Sequence, residues 1–454
     1  MSPIYKTSDE NSSQFNKSPE ASVLILAGEA SGDYHAAALV RETRERFPNI
    51  KFFGIGGEKL EKAGMKLLLH YSEINTIGFS GGITKFRKVL AAYRVMKSEL
   101  RSGVYSAFIP VDFPDVNMRL CKVAKKANVR VCYYISPQVW AWRKRRIFDI
   151  GSNVDRMMTI FPFEEKMYRD IGVAADFVGH TMVNDISGDL DRSLLRSELG
   201  LLDSRKLVTL APGSRRSEIS RVLPVMLGAA QSHLQKYPDT QFVIPLAGPH
   251  LRNLVQNFVG NSGLDVMILE IDASKVMAAS DSGLVASGTA TLQAALARMP
   301  HAVVYIIDNF TWMLATKILM PLVMDPDIHV AIANMLSIKS GNEIDSPIDI
   351  MLRRGFRIPC LECGRPLFVP EILQHNATPD NLAFWLDRFR NEPALTAAID
   401  EGFIRLREML ESDPSKPSAS DIVCELIQGK RLCATSSAKR SRLFRRQISI
   451  FTCQ

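Results

Sequence analysis

The fold is decided near the start of the chain by the stretch Ser22-Val23-Leu24-Ile25-Leu26-Ala27-Gly28-Glu29-Ala30-Ser31-Gly32-Asp33. Its first part is a short apolar run that ends in a glycine-rich turn, and helical character follows over His35–Arg46. A buried strand that leads through a tight turn into a helix is the opening of a βαβ unit. The stretch therefore predicts a parallel sheet covered by helices.

The same alternation of apolar runs and helical stretches continues along the chain. It predicts further strands at Lys51–Phe53, Ala107–Val111, Val129–Ile135 and Met157–Ile160. The pattern restarts at Leu207–Leu210, which the turn Pro212-Gly213-Ser214-Arg215 and a helix over Ile219–His233 follow. Later strands are predicted at Gln241–Leu246, Val266–Ile268, Gly283–Val285 and Ala302–Ile306. We therefore predict an α/β fold with two doubly wound, Rossmann-like domains that face each other across a cleft.

The length of 454 residues exceeds what a single hydrophobic core usually fills, so two domains are expected. The polar segment 187–204 has no strand character and is predicted to be the linker between them. The other predicted parts are a disordered extension over 1–21, an N-terminal domain over 22–186, a C-terminal domain with terminal helices over 205–429 and a basic tail over 430–454.

Charge and composition restrict the class of protein. The formal charge of +8 is uneven, because the residues from Lys430 onward include seven Lys or Arg and no acid. Such a tail suits nucleic acid or an anionic membrane, and it is equally typical of a solvated, disordered terminus. The seven scattered cysteines fit a reducing compartment. No apolar run reaches the ~18 residues of a membrane-spanning helix, and the polar N-terminus lacks the features of a secretory signal. We predict a cytosolic protein that rests against a membrane.

Polar residues follow two strands of the predicted N-terminal sheet. The turn over Gly28–Asp33 offers free N–H groups at a helix start but lacks the spacing of a dinucleotide fingerprint, and a capped tight turn explains it equally well. Asp112 and Asp115 follow the strand at Ala107–Val111. We predict that Asp112 is a general base for a sugar hydroxyl and that Asp115 caps a helix that begins near Val116.

Two similar turns occur in the C-terminal half. Arg215 lies beside a glycine turn at a helix start, where a guanidinium can bind a diphosphate through paired contacts. The small residues Ser287, Gly288 and Thr289 follow the strand at Gly283–Val285 and can hold phosphate oxygens. Each turn alone is also explained as a helix N-cap. Two such turns at one sheet edge favour a nucleotide site.

Three other motifs are weaker. Asp325-Pro326-Asp327 has the spacing of a metal-binding pair, and Cys360 with Cys363 resembles half a zinc knuckle that has no second cysteine pair. The string from Trp140 to Arg146 combines aromatic and basic residues. It is open to three interpretations, namely an RNA-stacking patch, a membrane-interface anchor and a buried aromatic cluster with a solvated basic edge.

Taken in order, the motifs resemble the lipid-A-disaccharide synthase family of GT-B glycosyltransferases. The resemblance runs from about Ser22 to Gln374. The motifs that carry it are Leu26–Asp33, Phe53–Gly57, Val111–Asp115 with Asn117, Tyr134–Arg143, Phe161–Glu164, Phe177–His180, Pro212–Arg215 and Ala286–Leu292. The run Ser136-Pro-Gln-Val-Trp-Ala-Trp-Arg143 is the most specific of them.

The resemblance implies a reaction between UDP-2,3-diacylglucosamine and 2,3-diacylglucosamine 1-phosphate (lipid X). The products are the β-1,6-linked disaccharide 1-phosphate and UDP, with inversion at the anomeric carbon. The N-terminal domain then becomes the acceptor side and the C-terminal domain the UDP-sugar donor side. The resemblance assigns catalytic roles to Asp112 and Glu29, with no cofactor and no metal. It implies a peripheral protein on the cytoplasmic face of the inner membrane that meets an anionic membrane surface and no nucleic acid, and it leaves a homo-oligomer open.

The resemblance also assigns binding residues. On the donor side it implies Arg215, Ser287, Gly288, Thr289, Gln293, Asn334 and Glu371. On the acceptor side, or in a structural role, it implies Ser31, Asp33, Asp115, Trp140, Trp142, Arg143 and His180.

Three departures from the family pattern concern the substrates. Gln293 stands where relatives usually carry Glu, a residue that commonly holds the ribose hydroxyls. The segment 337–366 resembles an insertion, and Gly78–Gly82 with Lys85, Arg87 and Lys88 replaces a more apolar region. The rival interpretations are another UDP-sugar GT-B enzyme, such as a peptidoglycan N-acetylglucosaminyltransferase or a UDP-N-acetylglucosamine epimerase, and a non-catalytic nucleotide-sugar-binding or RNA-binding protein.

Overall fold

The structure, a computed structural model, describes residues 21–74, 82–137, 146–186, 191–201, 204–307, 356–357 and 369–429. These residues form two compact units. The first contains the described residues up to Thr181 and those from Ser412 onward, and the second contains those from Met182 to Glu411.

The first unit is built on a seven-stranded sheet of order β3-β2-β1-β4-β5-β6-β7, and all of its neighbouring strands are parallel. Its central strands are buried on both faces, as parallel sheets require, and this explains their continuous apolar sequences. The strands are β1 Ala21–Ala27, β2 Ile50–Gly56, β3 Lys66–His70, β4 Ala107–Val111, β5 Arg130–Tyr134, β6 Arg156–Thr159 and β7 Ala174–Phe177.

The second unit repeats this design with the order β10-β9-β8-β11-β12-β14-β13. The strands from β10 to β14 in that order are parallel, and β13 adds an antiparallel pair at one edge. The strands are β8 Lys206–Ala211, β9 Thr240–Pro245, β10 Val266–Leu269, β11 Ser282–Ala286, β12 His301–Tyr305, β13 Phe356–Arg357 and β14 Glu371–Leu373.

Helices connect and cover the strands of both sheets. The helices of the first unit are α1 Ala30–Arg46, α2 Glu58–Lys62, α3 Gly82–Arg101, α4 Pro114–Lys126, α5 Arg146–Asn153 and α6 Pro162–Asp170. Helix α7, Thr181–Asp185, begins at Thr181, after which the chain passes from the first unit into the second. The helices that follow are α8 Arg192–Glu198, α9 Arg216–Lys236, α10 Arg252–Ser262, α11 Ala273–Ala279, α12 Thr289–Leu296, α13 Pro379–Asn391, α14 Pro393–Leu410 and α15 Ala419–Gln428. Throughout the described ranges, no helix combines the length and the apolar character that crossing a bilayer requires.

Two segments differ from the sequence-based division. The predicted linker 187–204 contains helix α8, and Asp191 caps the start of this helix. The buried Arg196 of α8 donates a hydrogen bond to the carboxylate of Asp281, in the second unit. Helix α15 was expected with the C-terminal domain, but it packs on α1 of the first unit, where Arg46 pairs with Asp421 at 2.6 Å. A linker judged from polarity alone cannot be distinguished from a short capped helix, because both consist of polar residues.

Candidate functional site

The first sheet changes its direction of winding between β1 and β4. The chain continues from β1 outward to β2 and β3, and then from β4 outward to β7 on the other side. Ligands of doubly wound sheets bind at such a switch point, beyond the carboxyl ends of the strands. Glu29 follows β1 and Asp112 follows β4, so the structure brings the two predicted catalytic carboxylates to this switch point.

Asp112 is held in an unusual environment. Burial raises the pKa of its carboxyl to about 6, and the nearby Glu29 carboxylate adds to the rise, while a hydrogen bond from the backbone of Phe113 opposes it. Asp112 and Phe113 both adopt left-handed backbone conformations, with φ of 43° and 48°. A carboxyl with a pKa near 6 is mostly ionised at neutral pH, and it is a stronger base than an ordinary aspartate.

The backbone of this turn is fixed by residues that the sequence analysis did not single out for that role. The carbonyl oxygen of Asp112 accepts hydrogen bonds of 2.7 Å from the Tyr133 hydroxyl and from the Asn117 side-chain amide. The Phe113 ring covers Gly28, where an added Cβ would lie 2.6 Å from the ring. Gly28 and Asn117 belong to the motifs of the sequence analysis. Their contacts with Phe113 and Asp112 could not be predicted from those motifs.

Asp33 has a structural position. Its buried carboxylate accepts hydrogen bonds from the backbone N–H groups of Gly57 at 2.6 Å, Lys59 at 3.1 Å and Leu60 at 3.2 Å. It therefore caps the start of α2, whereas Ser31 is exposed in the first turn of α1.

His180 is buried against the ring of His35, with 5.2 Å between ring centroids. Burial and, to a smaller extent, the proximity of His35 together lower the pKa of His180 to about 3. Burial alone lowers the pKa of His35 to about 4, and its Nδ1 shares a hydrogen bond with the Thr181 hydroxyl. Both rings are neutral at physiological pH, so neither is a charged contact for a phosphate.

Asp115 is not the N-cap residue that the sequence predicted. Helix α4 begins at Pro114, its N-cap residue is Phe113, and no side chain caps it. Proline is favoured at the first helical position, and this shifts the helix start toward the strand. Asp115 is an exposed residue of the first turn, where a carboxylate interacts favourably with the helix dipole.

The second sheet has its switch point between β8 and β11. Arg215 follows β8 and is the N-cap residue of α9. Glu218, three residues later, accepts hydrogen bonds from the backbone N–H groups of Ser214 at 3.2 Å and Arg215 at 3.3 Å, and its carboxylate pairs with the Arg215 guanidinium at 3.0 Å. Gly213 has a φ of 109°, and an added Cβ would lie 2.6 Å from Glu218. The turn is thus arranged around an anion, which here is the Glu218 carboxylate.

The turn after β11 lies across the switch point from the turn after β8. Gly288 is the N-cap residue of α12 with a φ of 137°, a conformation that favours glycine, and a Cβ there would meet nothing within 4 Å. Gly288 has no side chain with which to cap α12. Gly288 and Thr289 are exposed, while Ser287 is half-buried. Gln293 is half-buried one turn further along the helix. This helix start offers room for a ligand close to the backbone.

The other predicted site residues are Glu371 and several residues that the structure does not describe. Glu371 is buried in β14, in register with Val303 of β12. Asn334, Trp140, Trp142 and Arg143 lie outside the described residues, as do Asp325, Asp327, Cys360 and Cys363. Within the described ranges, no cluster of three or more His, Cys, Asp or Glu could hold a metal ion.

The sequence of this chain is similar to those of known proteins. A family model described as lipid-A-disaccharide synthetase matches residues 23–337. The lipid-A-disaccharide synthase of Geobacter metallireducens is 35% identical over 413 residues, which cover 91% of this chain and 99% of that protein. The lipid-A-disaccharide synthase 1 of Legionella pneumophila strain Paris is 33% identical over 89% of this chain and 97% of its own length.

Solved structures show the fold. The UDP-GlcNAc 2-epimerase of Neisseria meningitidis, solved bound to UDP-GlcNAc, superposes with a TM-score of 0.54 at 12% identity and covers 90% of this chain and 100% of its own. The calicheamicin glycosyltransferase CalG4 gives a TM-score of 0.54 at 13% identity over 91% of this chain and 100% of its own. The predicted α/β fold of GT-B type with two Rossmann-like domains is confirmed. The family match and the identity over almost the full length of its relatives establish that this chain belongs to the lipid-A-disaccharide synthase family.

Proposed function

We propose that this chain is the glycosyltransferase that condenses UDP-2,3-diacylglucosamine with lipid X to give the β-1,6-linked lipid A disaccharide 1-phosphate and UDP. The observation that supports this most is the half-buried Asp112, whose carboxyl has a pKa of about 6, at the switch point of the first sheet beside Glu29. Family membership supplies the substrates. UDP-GlcNAc epimerases share the fold at 12% identity only, so their activity is not carried over.

In the proposed step, Asp112 acts as the general base. Its carboxylate takes the proton of the acceptor's 6-hydroxyl while that oxygen forms a bond to the anomeric carbon of the donor. The bond from the anomeric carbon to the diphosphate breaks, and its electron pair leaves with UDP. Attack from the face opposite the diphosphate inverts the anomeric carbon. A positioned general base contributes roughly 10²–10⁴-fold to the rate.

The donor diphosphate is proposed to bind at the second switch point. The Arg215 guanidinium and the N–H groups at the start of α9 would then exchange their bonds to Glu218 for bonds to phosphate oxygens. The open turn at Ser287, Gly288 and Thr289 would hold the other part of the nucleotide, and Gln293 would bond the ribose in place of the usual Glu. Positive groups and helix starts stabilise the negative charge that develops on the leaving diphosphate.

The acyl chains of both substrates belong to a bilayer, so we propose that the protein acts peripherally on the cytoplasmic face of the inner membrane. The basic tail over 430–454 and the basic residues Lys85, Arg87 and Lys88 supply positive charge for an anionic surface.

The test is mass spectrometry after incubation of the purified protein with UDP-2,3-diacylglucosamine and lipid X. We expect the disaccharide 1-phosphate and an equimolar amount of UDP. A lipid X analogue without the 6-hydroxyl should give neither product, because it has no nucleophile. Release of UDP without disaccharide, or turnover of UDP-GlcNAc to its 2-epimer, would contradict the proposal.

A further inference from the structure

The backbone at Asp112 is strained and must be held in place. Two consecutive residues without the freedom of glycine, Asp112 and Phe113, have φ of 43° and 48°. Such conformations are energetically costly, and they persist only where the surrounding structure enforces them. The groups that enforce this turn therefore also decide where the Asp112 carboxyl points.

Those groups converge on the peptide of Asp112. Its N–H donates to the carbonyl oxygen of Tyr134 at 3.1 Å, which extends the pairing of β4 with β5 by one residue. Its carbonyl oxygen accepts from Tyr133 and from Asn117, each at 2.7 Å. Asn117 lies in the first turns of α4 and Tyr133 lies in β5, so the carbonyl is held from two different elements.

Both donors are deep in the core of the first unit. Tyr133 and Asn117 have no solvent-exposed surface. Burial raises the pKa of the Tyr133 hydroxyl well above 10, so the hydroxyl stays protonated at neutral pH and can donate its hydrogen bond. Groups in such positions cannot touch a bound sugar, and any effect they have on the reaction must act through Asp112.

We propose that Tyr133 and Asn117 are positioning residues, which aim the Asp112 carboxyl at the acceptor hydroxyl by holding the Asp112 carbonyl in its left-handed turn. The proposal rests on the assignment of Asp112 as the general base. It extends that assignment from a residue at the switch point of the first sheet to two residues in the core of the same unit. Tyr133→Phe tests it with the least disturbance, because the ring that fills the core is retained.

The expected result for Tyr133→Phe is a kcat about 10-fold lower with little change in KM for either substrate, since a displacement of the base of about 1 Å is enough for such a loss. Asn117→Ala should act in the same direction and serves as the second variant. Tyr105→Phe is the matched control. It also removes a hydroxyl bond from the same core, at 2.7 Å to Glu99, but at the opposite end of the sheet, so kcat should be unchanged.

A second measurement does not depend on turnover. The Asp112 carboxyl carbon can be titrated by ¹³C NMR and assigned by its loss in Asp112→Asn. Wild-type protein should titrate near pH 6. In Tyr133→Phe the midpoint should move to lower pH, because a relaxed turn lets water reach the carboxyl, and Tyr105→Phe should retain the wild-type midpoint.

An unchanged midpoint and an unchanged kcat in folded Tyr133→Phe would overturn the proposal. This result differs from the result expected if Asp112 is not the general base. If Asp112→Asn kept full turnover, Asp112 would not be the base, yet the shifted midpoint in Tyr133→Phe would still show that the hydroxyl positions its carboxyl.

Discussion

At the scale of single residues, the environment that makes Asp112 a stronger base also lowers the stability of the folded protein at neutral pH. The folded protein holds the Asp112 carboxyl away from water and beside Glu29, and both effects disfavour its ionised form. The unfolded chain has no such constraint. Because the folded state binds the proton more tightly, stability must fall as the pH rises from about 4 through about 6.

Asp112→Asn should therefore be more stable than wild-type protein at neutral pH. A shift of about 2 pKa units corresponds to roughly 3 kcal/mol, which is the upper limit of the expected gain in the free energy of unfolding. The gain should be present above pH 6 and disappear below pH 4, where the wild-type carboxyl is protonated in both states. Urea unfolding at several pH values measures it. The control Asp115→Asn removes an exposed carboxylate from the adjoining first turn of α4 and should differ from wild type by less than about 1 kcal/mol. A destabilised Asp112→Asn at pH 7 would contradict the burial argument.

Arg215 is expected to carry a large part of the affinity for UDP. Its side chain is 70% exposed and pairs with the Glu218 carboxylate of the same turn, so it is available to a ligand. Arg215→Ala should weaken UDP binding by about 10- to 100-fold, as loss of a charged hydrogen bond predicts. Arg215→Lys should recover only part of this, since an ammonium lacks the planar fork of two donors. Calorimetry with UDP measures both, and the exposed neighbour Arg216 provides the control Arg216→Ala. Equal affinities in all variants would remove Arg215 from the donor site.

At the scale of elements, the position of α2 depends on one carboxylate from another helix. Asp33 lies in α1 and accepts from three N–H groups at the start of α2. Asp33→Ala leaves these buried donors without an acceptor, and we expect the free energy of unfolding to fall by roughly 2–3 kcal/mol. The folded fraction should keep its KM for lipid X, because the role is structural. Chemical denaturation together with KM measures both parts. A raised KM with unchanged stability would instead assign Asp33 to the acceptor.

The central elements could be predicted from the sequence because their signal is local. Strands such as β1 and β4 are continuous apolar runs that end in turns, and burial on both faces produces this pattern. The edge strands β3 and β7 were missed because they are short and only partly buried, so the pattern is weak. Strand β13 was missed too, and its two residues pair antiparallel at the sheet edge.

The candidate site was predictable to a similar extent. Three site residues follow predicted strands, namely Glu29, Asp112 and Arg215. Glu29 and Asp112 come together because β1 and β4 are neighbouring parallel strands. The spacing from Arg215 to Glu218 is that of a capping box, so the sequence itself indicates a carboxylate at the start of α9. The contacts of Tyr133 and Asn117 with Asp112 depend on the register of β5 and the docking of α4, which no local pattern specifies.

At the scale of the whole molecule, the C-terminal helix is held by arginines that are distant in sequence. Arg46 pairs with Asp421 and Arg156 pairs with Glu425, each at 2.6 Å, and Arg130 donates to the carbonyl oxygen of Leu426. Helix α15 ends at Gln428, and its C-cap residue Gly429 has a φ of 73°. A truncation after Gly429 therefore removes the basic tail and leaves all of these contacts in place.

Deletion of residues 430–454 should reduce binding to anionic vesicles without a change in the melting temperature. The tail carries seven cations, and each basic residue near an anionic surface contributes roughly 1 kcal/mol. Sedimentation of the full chain with anionic liposomes should decrease as salt rises, because salt screens surface charge. Activity on detergent-dispersed substrates should not change. Equal sedimentation with neutral and anionic vesicles at any salt would contradict the electrostatic part of the proposal.

The central claim is that Asp112 is the base of a lipid A disaccharide synthesis, and its most direct test is the rate of the chemical step in Asp112→Asn. The measurement is single-turnover formation of the disaccharide 1-phosphate from UDP-2,3-diacylglucosamine and lipid X, with the UDP affinity of the same protein measured by calorimetry. We predict a rate roughly 10²–10⁴-fold below that of wild type with an unchanged affinity for UDP. A rate near that of wild type would contradict the account.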